Sequence, residues 1–327
     1  MEKLTITGHT MLYAKQRNEL LALSHDKEKE NLLTRWFLTP SPEEKHPIRV
    51  AEFPLEKPSF IKYMDDNRFL ILETGESKSI VHIADWETGQ IQQSFVMPKG
   101  DPNGNLQVAV YLSKSNLIIA GGAWSTLYFI DLSNQGTISK AFSEEDDGFD
   151  CLDALVVNEA ESLLIHSNID QFSVFNACKI LPNEKRLKRL GGFSGDLREH
   201  YDALHFFGES NYIAHVWMNF YSKAMLTIRQ IEGHQLKNIC EKQLNIPLSK
   251  HYSFSSKVAV YESLVFVGLE HSLICLVFKP NKKKLKVHKK WKLSEKIQSL
   301  VMDTNQQNVY VGTVEGVFVL PKSVFLV

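Results

Sequence analysis

Histidines and carboxylates are the residues of this chain best placed to do chemistry. His166, His200, His215, His251 and His271 punctuate its second half, and the run Glu144-Glu145-Asp146-Asp147 lies shortly before them. Such groups bind metals when they converge at about 2 Å from an ion, and paired carboxylates can divide acid and base roles. If a metal is held, His166, His200, His251 and His271 are its candidate ligands; histidines scattered over solvent and channel are the simpler reading. The acidic run likewise reads first as a solvated loop. There is no H-E-x-x-H, EF-hand loop, P-loop or G-x-G-x-x-G following a strand, and no G-x-S-x-G elbow. Gly192-Phe193-Ser194-Gly195 reads as a turn. The four cysteines, Cys151, Cys178, Cys240 and Cys275, show no C-x-x-C spacing and read as small buried hydrophobes rather than as a zinc ribbon or disulfide framework. No catalytic residue is assigned and no cofactor is expected.

These residues are separated by regular apolar punctuation, so the elements that position them come next. The chain has 327 residues, 43% hydrophobic and 23% charged, ordinary values for a globular protein with a large core. Its 37 Lys and Arg against 38 Asp and Glu leave a net charge of −1, which provides no global field for gathering polyanions. The basic runs at Lys185-Arg186-Leu187-Lys188-Arg189 and Lys282-Lys283-Lys284, the latter continued by Lys286, His288, Lys289 and Lys290, alternate with Leu187, Leu190, Leu285 and Val287. That alternation suits outer strands with one wet face, and nucleic acid is a disfavoured partner. The opening residues lack the apolar run of a secretory signal, and no stretch approaches the ~20 apolar residues that span a bilayer. The expectation is a cytoplasmic protein without a membrane partner.

A unit of about 40–50 residues recurs along the chain, the period of propeller blades. Its cleanest copy is Phe60-Ile61-Lys62-Tyr63-Met64, the turn Asp65-Asp66-Asn67, Phe69-Leu70-Ile71-Leu72, a turn at Thr74-Gly75, Ile80-Val81-His82-Ile83, and then Ile91 to Val96. Runs this short, β-branched and bounded by turn residues are strands, and a sustained helical period is scarce. The pattern predicts an all-β fold, a seven-bladed β-propeller of four-stranded blades in a single domain over 1–327. The blades fall at about 9–57, 58–104, 105–149, 150–199, 200–254, 255–296, and 297–327 plus 1–8. After the third strand of the last unit only Ser323 to Val327 remain, while Leu4-Thr5-Ile6-Thr7 stands spare before the first. The N-terminal strand is therefore expected to complete the last blade, pairing an edge that would otherwise stay open. Whether Val324 to Val327 competes for that place is left open.

Asp85-Trp86-Glu87-Thr88-Gly89 resembles the D-x-x-T-G turn after the third strand of WD-repeat proteins, and Ile130-Asp131-Leu132-Ser133-Asn134 is similar to their W-D-L-type ending. No unit ends in Trp-Asp, and Gly-His occurs only at Gly8-His9 and Gly233-His234. The resemblance to this propeller superfamily implies a scaffold that presents a protein-binding surface. Strand reversal places the loops before the first strand and between the second and third on one face. That face collects Trp124, Asp146, Asp147, Phe149, Phe193, Tyr201, Trp217, Tyr221 and Tyr252. Aromatic side chains in loops are either packed or used for contact, so these are the candidate partner-binding residues. The expected function is a non-catalytic protein-protein interaction module, a scaffold or adaptor or an inhibitor of a toxin or enzyme, whose partner is basic enough to suit the acidic run. The alternative is an enzyme or small-ligand or metal-binding protein using the mouth of the central channel.

Overall fold

The computed structural model describes residues 2–4, 10–24, 32–38, 48–54, 59–74, 78–98, 105–123, 127–142, 152–169, 173–194, 203–218, 223–233, 235–246, 256–303, 308–313 and 316–325. Among the described residues the apolar runs form 28 strands in seven four-stranded antiparallel sheets. The first blade holds β2 (Thr10–Ala14), β3 (Glu19–Ser24), β4 (Leu32–Phe37) and β5 (Ile48–Pro54), and the second holds β6 (Ser59–Asp65), β7 (Arg68–Thr74), β8 (Ser79–Asp85) and β9 (Ile91–Val96). The third comprises β10 (Asn105–Leu112), β11 (Leu117–Ala123), β12 (Tyr128–Asp131) and β13 (Thr137–Lys140), and the fourth β14 (Leu152–Val157), β15 (Leu163–Ile169), β16 (Ser173–Leu181) and β17 (Arg186–Ser194). The fifth is built from β18 (Ala203–Phe206), β19 (Tyr212–Met218), β20 (Ala224–Glu232) and β21 (Gln235–Gln243), and the sixth from β22 (Ser256–Tyr261), β23 (Leu264–Leu269), β24 (Ser272–Lys279) and β25 (Lys284–Lys292).

The seventh blade contains β26 (Ile297–Asp303), β27 (Asn308–Thr313) and β28 (Val317–Leu320) and is completed by β1 (Glu2–Leu4). Glu2, Lys3 and Leu4 lie opposite Val319, Phe318 and Val317, so an N-terminal strand completes the last blade as expected, but through Glu2–Leu4; Thr5–Thr7 of the expected strand Leu4–Thr7 lie outside the described residues. The C-terminal residues do not compete for that place. Lys322–Phe325 form a single helical turn, α1, and the buried Phe325 ring stands edge-on to Phe266 at 5.0 Å.

The middle strands are continuously apolar because both of their faces are covered. Along β7, Phe69 and Ile71 enter a cluster shared with the first blade, through Leu12, Leu21 and Leu33, while Leu70 and Leu72 enter one shared with the third, through Ile118, Ala120 and Ile130. The same division recurs at every junction, including that between the seventh and first blades, where Tyr310 and Val317 meet Met11, Leu20 and Ala22. The core is thus a ring of seven interblade clusters among the described residues. The first strands of successive blades touch one another and line the axis, and the fourth strands form the rim.

A register shift in the pairing of third with fourth strand recurs in five blades, at Arg35/Trp36, Ile83/Ala84, Ala177/Cys178, Ile228/Arg229 and Cys275/Leu276. An extra residue there increases twist and turns the outer strand over the blade. Two residues beyond the extra Leu190 of the fourth blade the chain requires a glycine, since a Cβ on Gly192 would lie 2.4 Å from the Phe175 carbonyl oxygen. Gly192-Phe193-Ser194 belongs to β17 rather than to a turn, because the apolar pattern of that strand extends past the two glycines.

The D-x-x-T-G segment locks the second blade to the first. The Asp85 carboxylate accepts from the Glu87 and Thr88 amides at 3.0 and 2.8 Å and from Thr88 Oγ1 at 3.0 Å. These bonds hold its pKa below the usual carboxylate value although burial opposes them. The turn inserts Trp86, fully buried, edge-on to Phe69 at 6.1 Å, and the indole Nε1 donates to Glu19 Oε2 at 2.9 Å. Arg35 Nε lies 3.4 Å from the same carboxylate. Replacing Trp86 with Phe removes the donor while keeping most of the ring. It leaves a buried charged acceptor short of one bond, and the expected loss is about 1–3 kcal/mol of unfolding free energy. Urea denaturation of W86F checks it, and Glu19→Gln, which retains an acceptor for the indole, should lose less than Glu19→Ala.

Candidate partner-binding surface

Antiparallel order within each blade sorts the connections onto two faces. The turns joining first to second and third to fourth strands make one, the turn face, and the remaining connections make the other, the loop face. Of the residues expected at the loop face, Trp124, Asp146, Asp147, Phe149, Tyr201, Tyr221 and Tyr252 lie outside the described residues, as do His200 and His251. Phe193 occupies β17 opposite Phe175.

Trp217 lies in β19, one residue before its end, with the ring half-buried. Its Nε1 donates to Thr227 Oγ1 at 2.7 Å, and that hydroxyl in turn donates to Glu241 Oε2 at 3.1 Å. The ring stacks on the His215 imidazole with centroids 6.4 Å apart and packs beside Phe175 and Ile213. Three strands of one blade therefore fix the orientation of this indole.

His166 does not sit in a loop. It is fully buried in the middle of β15, edge-on to Phe142 at 5.7 Å, and takes its place by strand alternation. His271 is exposed in the two-residue turn between β23 and β24, where the neighbouring Glu270 is buried and paired with Lys296 at 3.3 Å. Among the described residues no group of three or more His, Cys, Asp or Glu converges as a metal site would require. His215 is also buried, against Phe175 at 4.5 Å, and burial first, then the charge of Arg229, holds its pKa well below the ordinary imidazole value.

The turn face carries polar staples between blades that the sequence pattern did not disclose. Arg17, in the turn after β2, donates from Nε to the Asp66 carbonyl at 2.6 Å and from NH2 to Asn67 Oδ1 at 3.0 Å. Glu161, after β14, accepts from the Ser113 amide and hydroxyl at 2.7 and 2.6 Å and from the Lys114 amide at 3.0 Å. The Glu159 amide then donates to the Gly208 carbonyl at 3.2 Å. First turns of successive blades are thereby tied one to the next. No residue type in the sequence announces this role of Glu161, whose backbone is left-handed at φ 56°.

A second kind of staple borders a cleft of about 440 Å³ between the third and fourth blades. Lys185 Nζ reaches Asp131 Oδ2 at 2.6 Å, and this bond with the lysine's charge lowers the Asp131 pKa. Lys185 follows the 3-10 turn Pro182–Glu184 with φ 49°; Lys283 follows the matching turn Pro280–Lys282 with φ 46°. Blades four and six thus share a Pro-Asn-x-Lys turn. The cleft walls hold Lys114, Asp131, Glu161 and Lys185, whose charges are taken up by neighbouring blades, and no histidine or cysteine. Its size suits a small ligand; its chemistry is that of a brace.

Seven four-stranded sheets closed by the chain's own N-terminal strand, with the Asp85 turn docked under the preceding blade, can be set beside known structures. The crystal structure of RRP9 WD40 repeats matches with a TM-score of 0.69 and 12% sequence identity over 98% of this chain and 96% of that one. The fold is a WD40-type propeller. No protein family model matches the chain, and no curated protein matches it either. In this WD40-type ring the Asp85 and Asp131 turns, where the family resemblance was legible, both have aspartate carboxylates that accept from their own turn's backbone.

Two outcomes follow from these contacts. Glu161→Ala should lower stability by about 1–2 kcal/mol, the scale of hydrogen bonds to a charged group at a partly solvated site, and thermal denaturation measures it. For His215, the folded-state pKa lies below the unfolded value of about 6.5, so the unfolded chain takes up the extra proton as pH falls. Stability should therefore be complete above about pH 6.5 and decline below it. His215→Phe should flatten that decline between about pH 5 and 6.5 in denaturant titrations.

Proposed function

We propose that this chain is a non-catalytic protein-protein interaction module that binds its partner through the loop face, with Trp217 and Trp124 among the anchors. WD40-type propellers commonly serve as scaffolds for protein interaction, and the fold alone does not select a partner. The observation that carries the reading is Trp217, a half-buried indole at the loop-face end of β19 whose orientation is fixed by Thr227 and Glu241. On the turn face Arg17, Glu161, Asp131 and Lys185 are engaged in bracing blades against one another. In the sequence, aromatic residues and the acidic run Glu144 to Asp147 fall in segments that connect successive blades, outside the described residues, and the reading assigns them to the loop face.

Trp217 supports it physically. An indole held by Thr227 and packed against His215 loses little freedom when a partner covers its remaining surface, and pre-organised aromatic anchors contribute most per residue at interfaces. The acidic run favours a basic partner through long-range attraction. A scaffold and an inhibitor that covers a basic toxin or enzyme are both served by this arrangement.

Affinity capture followed by mass spectrometry provides the test. The partner retained by the wild-type chain should be lost or reduced at least about tenfold, equivalent to about 1.4 kcal/mol, with Trp124→Ala or Trp217→Ala, each variant being verified as folded by circular dichroism. Ile91→Glu and Val96→Glu, on the exposed outer strand β9, should leave capture unchanged. Retention by both tryptophan variants together with loss on the β9 variants would move the interface to the rim.

A further inference from the structure

A hydroxyl, an imidazole and a carboxylate line up across the three outer strands of the second blade. Ser94 Oγ on β9 lies 2.8 Å from His82 Nδ1 on β8, and His82 Nε2 lies 3.2 Å from Glu73 Oε2 on β7. With the ring proton on Nε2, the imidazole donates to Glu73, and its Nδ1 is left to accept from Ser94. Carboxylate, base and hydroxyl then stand in the order that activates a serine, with the two ring nitrogens exchanged relative to the usual arrangement. His82 is buried, whereas Ser94 is exposed on the edge strand of its sheet. The fifth blade places a polar chain at the same register, from Trp217 through Thr227 to Glu241. There a carboxylate stands outermost, so the chain ends in an acceptor. The second blade reverses the order and ends at the surface in a hydroxyl.

The backbone around Ser94 completes the site. The Met97 amide donates to the Ser79 carbonyl at 3.0 Å. Antiparallel alternation then turns the amides of Ser94 and Val96 outward, where no further strand of the sheet takes them up. An outward amide beside a nucleophile can donate to the oxygen of a carbonyl under attack. The register shift at Ile83/Ala84 leaves Gln92 as the extra residue and brings Ile91 onto the face of Ser94 and Val96, opposite Ala84, His82 and Ile80 respectively. Ile91 and Val96 are 54% and 55% exposed. The hydroxyl therefore sits between two apolar side chains that an apolar group can cover.

We propose that Ser94 accepts an acyl group from an activated ester or thioester with a short apolar acyl chain. Oγ attacks the carbonyl carbon while its proton passes to His82 Nδ1. The bond to the leaving oxygen or sulfur then breaks, and that atom takes the proton from His82. The acyl group stays on Ser94 as an ester. Glu73 touches no reacting atom; it positions the ring and stabilises the imidazolium. The result is a covalent modification of the rim, one acyl group per chain, and it is independent of the loop-face reading.

Treatment of the purified chain with p-nitrophenyl butyrate, followed by intact mass and peptide mapping, tests the site. Wild type should gain one butyryl group, on Ser94, and Ser94→Ala should not gain it. His82→Gln, which keeps a polar side chain but no base, should slow labelling at least about 100-fold, the contribution of a positioned general base. Glu73→Gln should slow it at least about tenfold, and Glu73→Asp should restore most of the rate. Replacing both Ile91 and Val96 with Ser should slow butyryl transfer more than acetyl transfer from p-nitrophenyl acetate. Circular dichroism verifies that each variant is folded. A wild type unlabelled at Ser94, or labelled there no faster than folded H82Q, would overturn the proposal. Should H82Q not fold, the Glu73 variants carry the comparison, and equal rates in wild type, E73Q and E73D overturn it.

Discussion

Closure of the ring by three N-terminal residues is the constraint on which the rest of the molecule depends. Each blade has two apolar faces, and each face is covered only because another blade stands beside it. In an open array the outer face of the first blade and that of the seventh would both meet water. The pairing of Glu2, Lys3 and Leu4 with β28 joins the chain's two ends within a single sheet, and Tyr310 and Val317 then lie against Met11 and Leu20 like any other interblade cluster. Strand pairing thereby removes the open edge, and burial of the last pair of faces supplies the larger stabilisation.

Polar contacts refine what the apolar ring establishes. Trp86, Arg17, Glu161 and Lys185 each reach from one blade into the next, and each meets a partner about one blade away in sequence. Their effect is to fix the rotation between neighbours, which apolar packing alone specifies weakly. A ring braced in this way on its turn face can carry variable loops on the other without losing shape, and this rigidity is what a docking surface requires.

The architecture was legible because strand length, turn composition and period are local properties. Phe69-Leu70-Ile71-Leu72 between Asp66-Asn67 and Gly75 needs no tertiary information to be read as a buried strand, and seven such units imply closure. The WD-repeat resemblance was carried by Asp85 and Thr88, whose side chains interact within one turn. The staples were not legible, because Glu161 and Ser113 or Trp86 and Glu19 become neighbours only once the blades are stacked. His166, which reads in the sequence as a metal ligand or a solvent or channel histidine, is buried instead because the strand it ends in sequence continues in pairing through Ile169. The run Leu190 to Phe193 concealed a strand in the opposite sense, since Gly192, which read as part of a turn, is required by close approach to Phe175.

Amide hydrogen exchange along β28 tests closure most directly. If β1 completes the seventh blade, the amides of Val317–Leu320 that face it exchange as slowly as those of the interior strand β27 and become fast when residues 1–4 are removed. Exchange of those amides at the unprotected rate in the intact chain would contradict the closed ring.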